Sequence, residues 1–189
     1  SAMERGQAST AIEQLTPLLR STASLTREDE LAVRSSLAEA YLLRGDLTEA
    51  ATVVGPSPDA IRDPVAPVIL SNLWRAHARV AFARGEQSRA IALHSRALKL
   101  AETAHDSRAI GLAHFCLGQC YRQVGDMSIV REHIGEAAPA LHAAGDRRHL
   151  AQVHPLSATM LAQTGRYEEA ATALRQAERL ATALQADDV

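Results

Sequence analysis

His114, Cys116 and Cys120 are side chains of the types that bind metal ions, and they lie close together in the sequence. A zinc site needs three or four ligands that converge on one point. In a helix, residues two apart point about 200° away from each other, whereas residues four apart share a face. His114 and Cys116 therefore diverge. We expect both cysteines to be packing residues, and we expect the chain to bind no metal and no other cofactor.

His94 is the other residue whose type suggests chemistry, because a histidine can act as a general base. It is followed by Ser95 and Arg96, which form no nucleophile elbow. The sequence also contains no phosphate-binding loop, no dinucleotide-binding glycine motif and no H-E-x-x-H motif. We interpret His94 as a buried core histidine and expect the chain not to be an enzyme.

The composition indicates helices that pack closely through small residues. Of the 189 residues, 47% are hydrophobic and only 3% are aromatic, and alanine is abundant. The net charge is −2 with both signs well mixed, so no positive field exists for nucleic acid. No apolar run approaches the roughly 20 residues that span a bilayer, and no signal pattern precedes Met3, so we expect a cytoplasmic protein. Ser1 and Ala2 resemble a tag remnant.

Four glycines recur at intervals of 40 residues, at positions 45, 85, 125 and 165. Each follows an apolar-periodic run and precedes another, as expected of a left-handed residue just after a helix. The pattern predicts nine helices, at about 7–20, 27–44, 47–54, 66–84, 87–104, 107–124, 127–144, 147–163 and 167–184. Gly55-Pro56 should end the third helix early and leave residues 55–66 as a loop.

Capping residues and prolines refine these boundaries. Thr26 and Asp29 have the spacing of a capping box, and Asp106 is a candidate N-cap. Three prolines fall inside helical patterns, where they should kink the helix or remove hydrogen bonds: Pro17, Pro139 and Pro155.

The residues between the glycines also follow a pattern. The third unit reads His114-x2-Leu117-Gly118-x2-Tyr121, and the second places Trp74, Ala78, Ala90 and Ala97 around Gly85. This pattern resembles the tetratricopeptide repeat (TPR) family, in a 40-residue variety like the repeat domains of large bacterial transcription activators and signalling proteins. The departures are the 40-residue period in place of 34, His94 at a large apolar position, and the lack of a closing proline.

The resemblance implies an all-α protein, an α-solenoid with a right-handed superhelix. It would comprise about four and a half helix-turn-helix repeats in one array over residues 3–189, beginning in mid-repeat near Gly6. Proteins of this family bind ligands on the concave face, through set positions of each first helix. Transferred to this sequence, the positions of interest are Asn72, Arg75, Arg79, Phe115, Gln119 and Arg122.

These six residues suit an acidic or carboxylate-bearing peptide, with Phe115 as an exposed apolar contact. The alternative is an ordinary solvated helix face. We therefore expect a protein- or peptide-binding module of a larger bacterial protein, without direct nucleic-acid or membrane binding. The competing hypothesis is an effector-sensing or coupling segment of a multidomain bacterial transcription regulator.

Apolar residues continue to both ends of the predicted array. Ile12 and Leu15 lie in the first helix, and Leu174, Leu180 and Leu184 lie in the last. Terminal repeats normally carry a polar capping face. We therefore expect the natural protein to extend beyond this segment and the segment to self-associate through its ends.

Overall fold

The computed structural model describes residues 2–20 and 25–187, and in these ranges the chain is all-α with no β-strand. The α-helices are α1 (Ala2–Arg20), α2 (Arg27–Arg44), α3 (Leu47–Val54), α4 (Pro67–Ala83), α5 (Gln87–Thr103), α6 (Ser107–Val124), α7 (Met127–Ala143), α8 (Arg147–Gln163) and α9 (Tyr167–Asp187). A single turn of 3-10 helix, Pro58–Ala60, lies in the loop between α3 and α4. None of the helices in the described ranges is long and apolar enough to cross a membrane.

The helices form two compact units, one within residues 1–104 and one within residues 105–189. In the first unit α1 packs on α2, α2 on α3 and α4, and α4 on α5. In the second unit α6 packs on α7, α7 on α8, and α8 on α9. Each unit thus consists of consecutive helix pairs, as in an α-solenoid, and the predicted fold class is confirmed. The prediction of a single array from residue 3 stays a prediction.

The predicted helices agree closely with the observed ones, except for the first. We expected α1 to begin near residue 7, with Gly6 at a corner, but α1 already includes Gly6. Gly6 is absent from the glycines with positive φ. A glycine in an otherwise regular helix costs only about 1 kcal/mol, so it does not by itself end the helix.

The corner residues adopt the left-handed conformation that the spacing predicts. The φ angles are 97° at Gly45, 78° at Gly85, 87° at Gly125 and 77° at Gly165. At Gly125 the backbone N–H donates to the Tyr121 carbonyl at 2.9 Å, which closes α6. The turns after α5 and α7 also contain a residue with positive φ, which is His105 with φ 51° after α5 and Gly145 with φ 67° after α7. His105 is the one non-glycine residue with positive φ in the described part of the chain.

The predicted caps are also present. The Thr26 side chain accepts a hydrogen bond from the Asp29 N–H at 3.1 Å, and Asp29 Oδ2 accepts one from the Thr26 N–H at 3.3 Å. The Asp106 carboxylate accepts from the Ala109 N–H at 2.7 Å. The helices α1, α7 and α8 run on through their internal prolines.

Small residues allow the two helices of a pair to approach closely. In the second unit, a Cβ atom at Gly118 would lie 2.8 Å from Ile134 Cδ1, and one at Gly111 would lie 2.7 Å from Leu141 Cγ. Ile134 and Leu141 are almost completely buried. The core of α6 and α7 therefore depends on the absence of side chains at two positions of α6.

The last helix buries more of its apolar stripe than we expected. Leu180 is half-buried and packs against the apolar cluster of α6, α7 and α8, and Ala177 is buried. The prediction that this stripe is uncovered is wrong for these two residues, because α9 folds back onto its own unit. Leu174 does remain 47% exposed.

Candidate functional site

The six predicted binding residues fall into two groups of three. Asn72, Arg75 and Arg79 lie on α4 in the first unit, whereas Phe115, Gln119 and Arg122 lie on α6 in the second.

The group on α4 is organised by a carboxylate from the neighbouring helix. Arg75 Nη1 donates a hydrogen bond to Glu39 Oε1 on α2, and Arg79 Nη1 lies 3.8 Å from Glu39 Oε2. Arg75 Nη2 also donates to Asn72 Oδ1 at 3.4 Å. Because α2 packs directly on α4, one carboxylate is shared by two guanidinium groups.

Burial separates the roles of the two arginines. Arg75 is only 7% exposed, so it is mainly a bridge between α2 and α4 and not the accessible ligand contact that we expected. The Arg79 side chain is 30% exposed, and Asn72 is half-buried. The accessible polar groups of this site are therefore Arg79 and Asn72.

His94 lies on α5 close to these arginines. It is 1% exposed, and its Nδ1 is buried without a hydrogen-bond partner. Burial lowers the pKa of His94 to about 3, and the positive charges of Arg75 and Arg79 add to this effect. The imidazole is therefore neutral at physiological pH, and the prediction of a buried core histidine is confirmed.

The charges of the α4 site do not cancel. Arg75 and Arg79 carry two positive charges, Glu39 carries one negative charge, and His94 is neutral. In a half-buried setting this excess attracts an anion more strongly than an exposed arginine does, because screening by water is weaker. The arrangement can bind a carboxylate through Arg79, with Asn72 as a hydrogen-bond donor or acceptor.

The group on α6 differs from the prediction at Phe115. Phe115 is 6% exposed and belongs to an apolar cluster with residues of α7 and α8. The expectation of an exposed Phe115 is wrong, because the neighbouring helices cover the large apolar area of the ring. Gln119 is half-buried and Arg122 is exposed. Arg122 lies in the last turn of α6, where a positive charge is favoured by the helix dipole.

The histidine and the cysteines of α6 lie in packed surroundings. His114 Nδ1 lies 3.0 Å from His133 Nδ1 on α7, and Tyr121 stacks on His133. Burial, and then the proximity of Cys116, raises the pKa of the Cys120 thiol to about 12. In the part of the chain that the structure describes, no group of three or more His, Cys, Asp or Glu side chains is placed to hold a metal ion.

A second candidate site was not predicted from the sequence. It is a cavity of about 160 Å³ in the first unit, lined from α3, α4, α5 and the loop after α3. His77, Arg84 and Arg89 supply its polar side chains together with Ser57. The sequence did carry one signal for it, the early stop of α3 at Gly55-Pro56, because a short helix leaves its neighbours partly uncovered.

Comparison with known proteins supports the fold class. No protein-family model and no curated protein sequence matches this chain. Among solved structures, the crystal structure of BtubC (BKLC) from P. vanneervenii is similar, with a TM-score of 0.57 and 13% sequence identity. The similarity covers 97% of this chain and 92% of that one. At this identity it shows the fold alone: the chain is an all-α protein of the helical-array class.

Proposed function

We propose that this chain is a non-enzymatic protein-interaction module, built from TPR-type repeats, within a larger cytoplasmic bacterial protein. Its ligand in this proposal is an acidic peptide segment of a partner protein. The observation that supports it best is the α4 site, where Glu39 is shared by Arg75 and Arg79 and the accessible guanidinium is that of Arg79.

The division of roles in this site follows from burial. Glu39 and Arg75 fix the geometry, because a hydrogen-bonded pair with a buried guanidinium and a half-buried carboxylate has little freedom to move. Arg79 is 3.8 Å from Glu39, longer than a direct hydrogen bond, so its donors are available to a peptide carboxylate. Asn72 would hydrogen-bond the peptide next to this ion pair. Gln119 and Arg122, on α6 of the second unit, are a separate pair of polar side chains, of which Arg122 is exposed.

A binding experiment with a defined probe tests the proposal. The probe is a fluorescein-labelled peptide of eight glutamates, followed by fluorescence anisotropy, with a peptide of eight glutamines as the uncharged comparison. Arg79→Glu should weaken binding of the acidic peptide about tenfold or more, since a hydrogen bond to a charged group contributes about 1.5–3 kcal/mol.

The matched control is Arg131→Glu, which makes the same charge change at an exposed position of α7. It should change the affinity by less than about twofold, since exposed charges are well screened. Equal losses in both variants would mean that the peptide responds only to overall charge, and the α4 site would then not be the binding site.

The second candidate function is effector sensing or coupling in a multidomain transcription regulator. It is favoured by the partly open cavity of about 160 Å³ in the first unit, which has room for a small molecule and not for a peptide. The sequence adjoining this segment in the natural reading frame distinguishes the two functions. A DNA-binding helix-turn-helix or winged-helix signature, or a phosphate-binding loop, would favour the regulator, and its absence would favour the interaction module.

A further inference from the structure

The helix α3 is much shorter than the other second helices of the repeats. It spans 8 residues, whereas α5 and α7 each span 17. It ends at Gly55, whose φ of 78° and ψ of −157° are accessible mainly to glycine, and Pro56 follows. The chain then continues as a loop to α4. One flank of α4 therefore faces this loop where a full-length helix would otherwise pack.

This arrangement leaves the cavity of about 160 Å³ in the first unit. A cavity of roughly this volume accommodates a ligand of about six non-hydrogen atoms. Its residues on α4 include Trp74 and His77, which are two positions away from Asn72 and Arg79 respectively. Since residues two apart differ by about 200° around a helix, the cavity and the peptide site lie on different flanks of α4.

One wall of the cavity is apolar and firmly held. It includes Trp74, Val54 and Leu93. The guanidinium carbon of Arg96 lies 4.8 Å from the centre of the Trp74 ring, and Arg96 also pairs with Asp59 at 3.0 Å. Asp59 lies in the single turn of 3-10 helix, and because both partners of this ion pair are exposed, the pair adds little stability. The indole is held in place by its own burial, since Trp74 is only 7% exposed.

The polar side of the cavity is positively charged. Arg84 and Arg89 both line it, and none of its lining residues is acidic. Both arginines are exposed, and Arg89 pairs with Glu86 at 2.7 Å outside the lining, so Arg84 supplies most of the net positive charge. His77 Nε2 is buried without a hydrogen-bond partner. Burial lowers the pKa of His77, and the Pro56 carbonyl opposes that effect. Since the Pro56 carbonyl accepts a hydrogen bond from the other ring nitrogen, the neutral imidazole presents Nε2 as an acceptor.

We propose that this cavity binds a short-chain aliphatic carboxylate of about six or seven non-hydrogen atoms. The carboxylate pairs with Arg84 and Arg89, and the hydrocarbon chain lies on Trp74 and the apolar wall. An inorganic anion such as sulfate has the same charge chemistry but cannot use the apolar wall, so the carboxylate is the better match.

This inference deepens the effector-sensing candidate and does not depend on peptide binding. The two sites use different residues of α4, so each can fail without the other. Arg79→Glu, which should weaken acidic-peptide binding about tenfold or more, should leave carboxylate binding unchanged.

Trp74 provides a direct test, because it is the single tryptophan of the chain and it lines the cavity. Its fluorescence is followed during titration with sodium pentanoate, with 1-pentanol as the neutral analogue and sodium sulfate as the inorganic anion. Pentanoate should give a saturable change, and both comparison compounds should bind about tenfold more weakly or worse. Calorimetry on the same samples checks that the fluorescence change reports binding.

Variants locate the site. Arg84→Gln with Arg89→Gln should weaken pentanoate binding about tenfold or more. Leu93→Trp should fill the cavity and leave the charged side chains in place. Because this variant contains a second tryptophan, its pentanoate binding is measured by calorimetry. The matched control is Arg131→Gln with Arg148→Gln, which removes two exposed arginines of the second unit. Far-UV circular dichroism confirms that each variant folds.

Three results would overturn the proposal. The first is the lack of any saturable response to pentanoate at tens of millimolar. The second is equal binding of 1-pentanol or sulfate, which would show that charge or apolar contact alone is recognised. The third is an equal loss of pentanoate affinity in the Arg84→Gln with Arg89→Gln variant and in the Arg131→Gln with Arg148→Gln control, both folded.

Discussion

His94 should make the first unit sensitive to mild acid. The unfolded chain binds a proton at His94 with a pKa near 6.5, whereas burial lowers the folded-state pKa to about 3. Between these values the unfolded state holds more protons, so the free energy of unfolding rises with pH. The stability that comes from the neutral imidazole is therefore complete above pH 6.5 and is lost progressively as the pH falls below it.

The magnitude follows from linkage. Between pH 7 and pH 5, a group with an unfolded pKa of 6.5 and a folded pKa well below 5 reduces the free energy of unfolding by about 2 kcal/mol. This figure hardly depends on the exact folded pKa, because at pH 5 the folded imidazole remains neutral for any value below about 4. Arg75 and Arg79 keep their charges throughout this range and oppose protonation of His94.

Urea unfolding at pH 7 and pH 5, followed by Trp74 fluorescence, measures the effect in the first unit. His94→Gln removes the titrating group but keeps a polar side chain. The difference in the free energy of unfolding between pH 7 and pH 5 should therefore be about 2 kcal/mol smaller than in the parent. His94→Leu should shrink it equally. It should also raise the stability at pH 7 by about 1–3 kcal/mol, because it removes a buried unsatisfied nitrogen.

Because His77 is present in the parent and in both variants, its own contribution cancels in this comparison. If His94→Gln kept the full difference between pH 7 and pH 5, His94 would be protonated equally well in the folded and unfolded states. The buried, neutral imidazole would then be refuted.

Four further substitutions test a close helix contact, two residues with positive φ, and self-association. Gly118→Ala should destabilise the second unit by about 1–3 kcal/mol in urea, because the new methyl group meets Ile134; unchanged stability would argue against the close approach. Gly125→Val should cost about 1 kcal/mol or more, and an unaltered midpoint and slope would show that no corner exists there. His105→Gly should raise the thermal midpoint by relieving a left-handed non-glycine residue; a lower midpoint would contradict this. Leu174→Glu should weaken concentration-dependent light scattering, and a parent that is monomeric throughout would exclude association.

Much of the fold could be predicted because its determinants are local. The glycine corners, the Thr26 capping box and the Asp106 cap each depend on a few neighbouring residues, and each is present as expected. The period of the apolar residues similarly identifies which face of each helix is buried. Gly6 shows the limit of this reasoning, since a glycine ends a helix only where the chain also turns.

The candidate site could be predicted only in part, because exposure depends on elements that are distant in sequence. The family resemblance placed Arg75 and Phe115 on a ligand-binding face, yet Arg75 is hydrogen-bonded to Glu39 of α2 and Phe115 is buried in the cluster with α7 and α8. The cavity beside His77 depends on a gap between side chains of three helices and a loop. No spacing rule in the sequence describes such a gap, although the early stop at Gly55 marks its position.

The short α3 also shows that part of a second helix can be replaced by a loop while α2, α4 and α5 keep their packing. Gly45 and Gly85 are 40 residues apart, like the later corners, although residues 55–66 between them are mostly outside helices. Residues 62–64 are exposed on this loop. Lengthening a surface loop costs little, about 0.6 kcal/mol for each doubling. Additional residues, or a whole inserted domain, could therefore enter between Arg62 and Asp63 while α2, α4 and α5 keep their contacts.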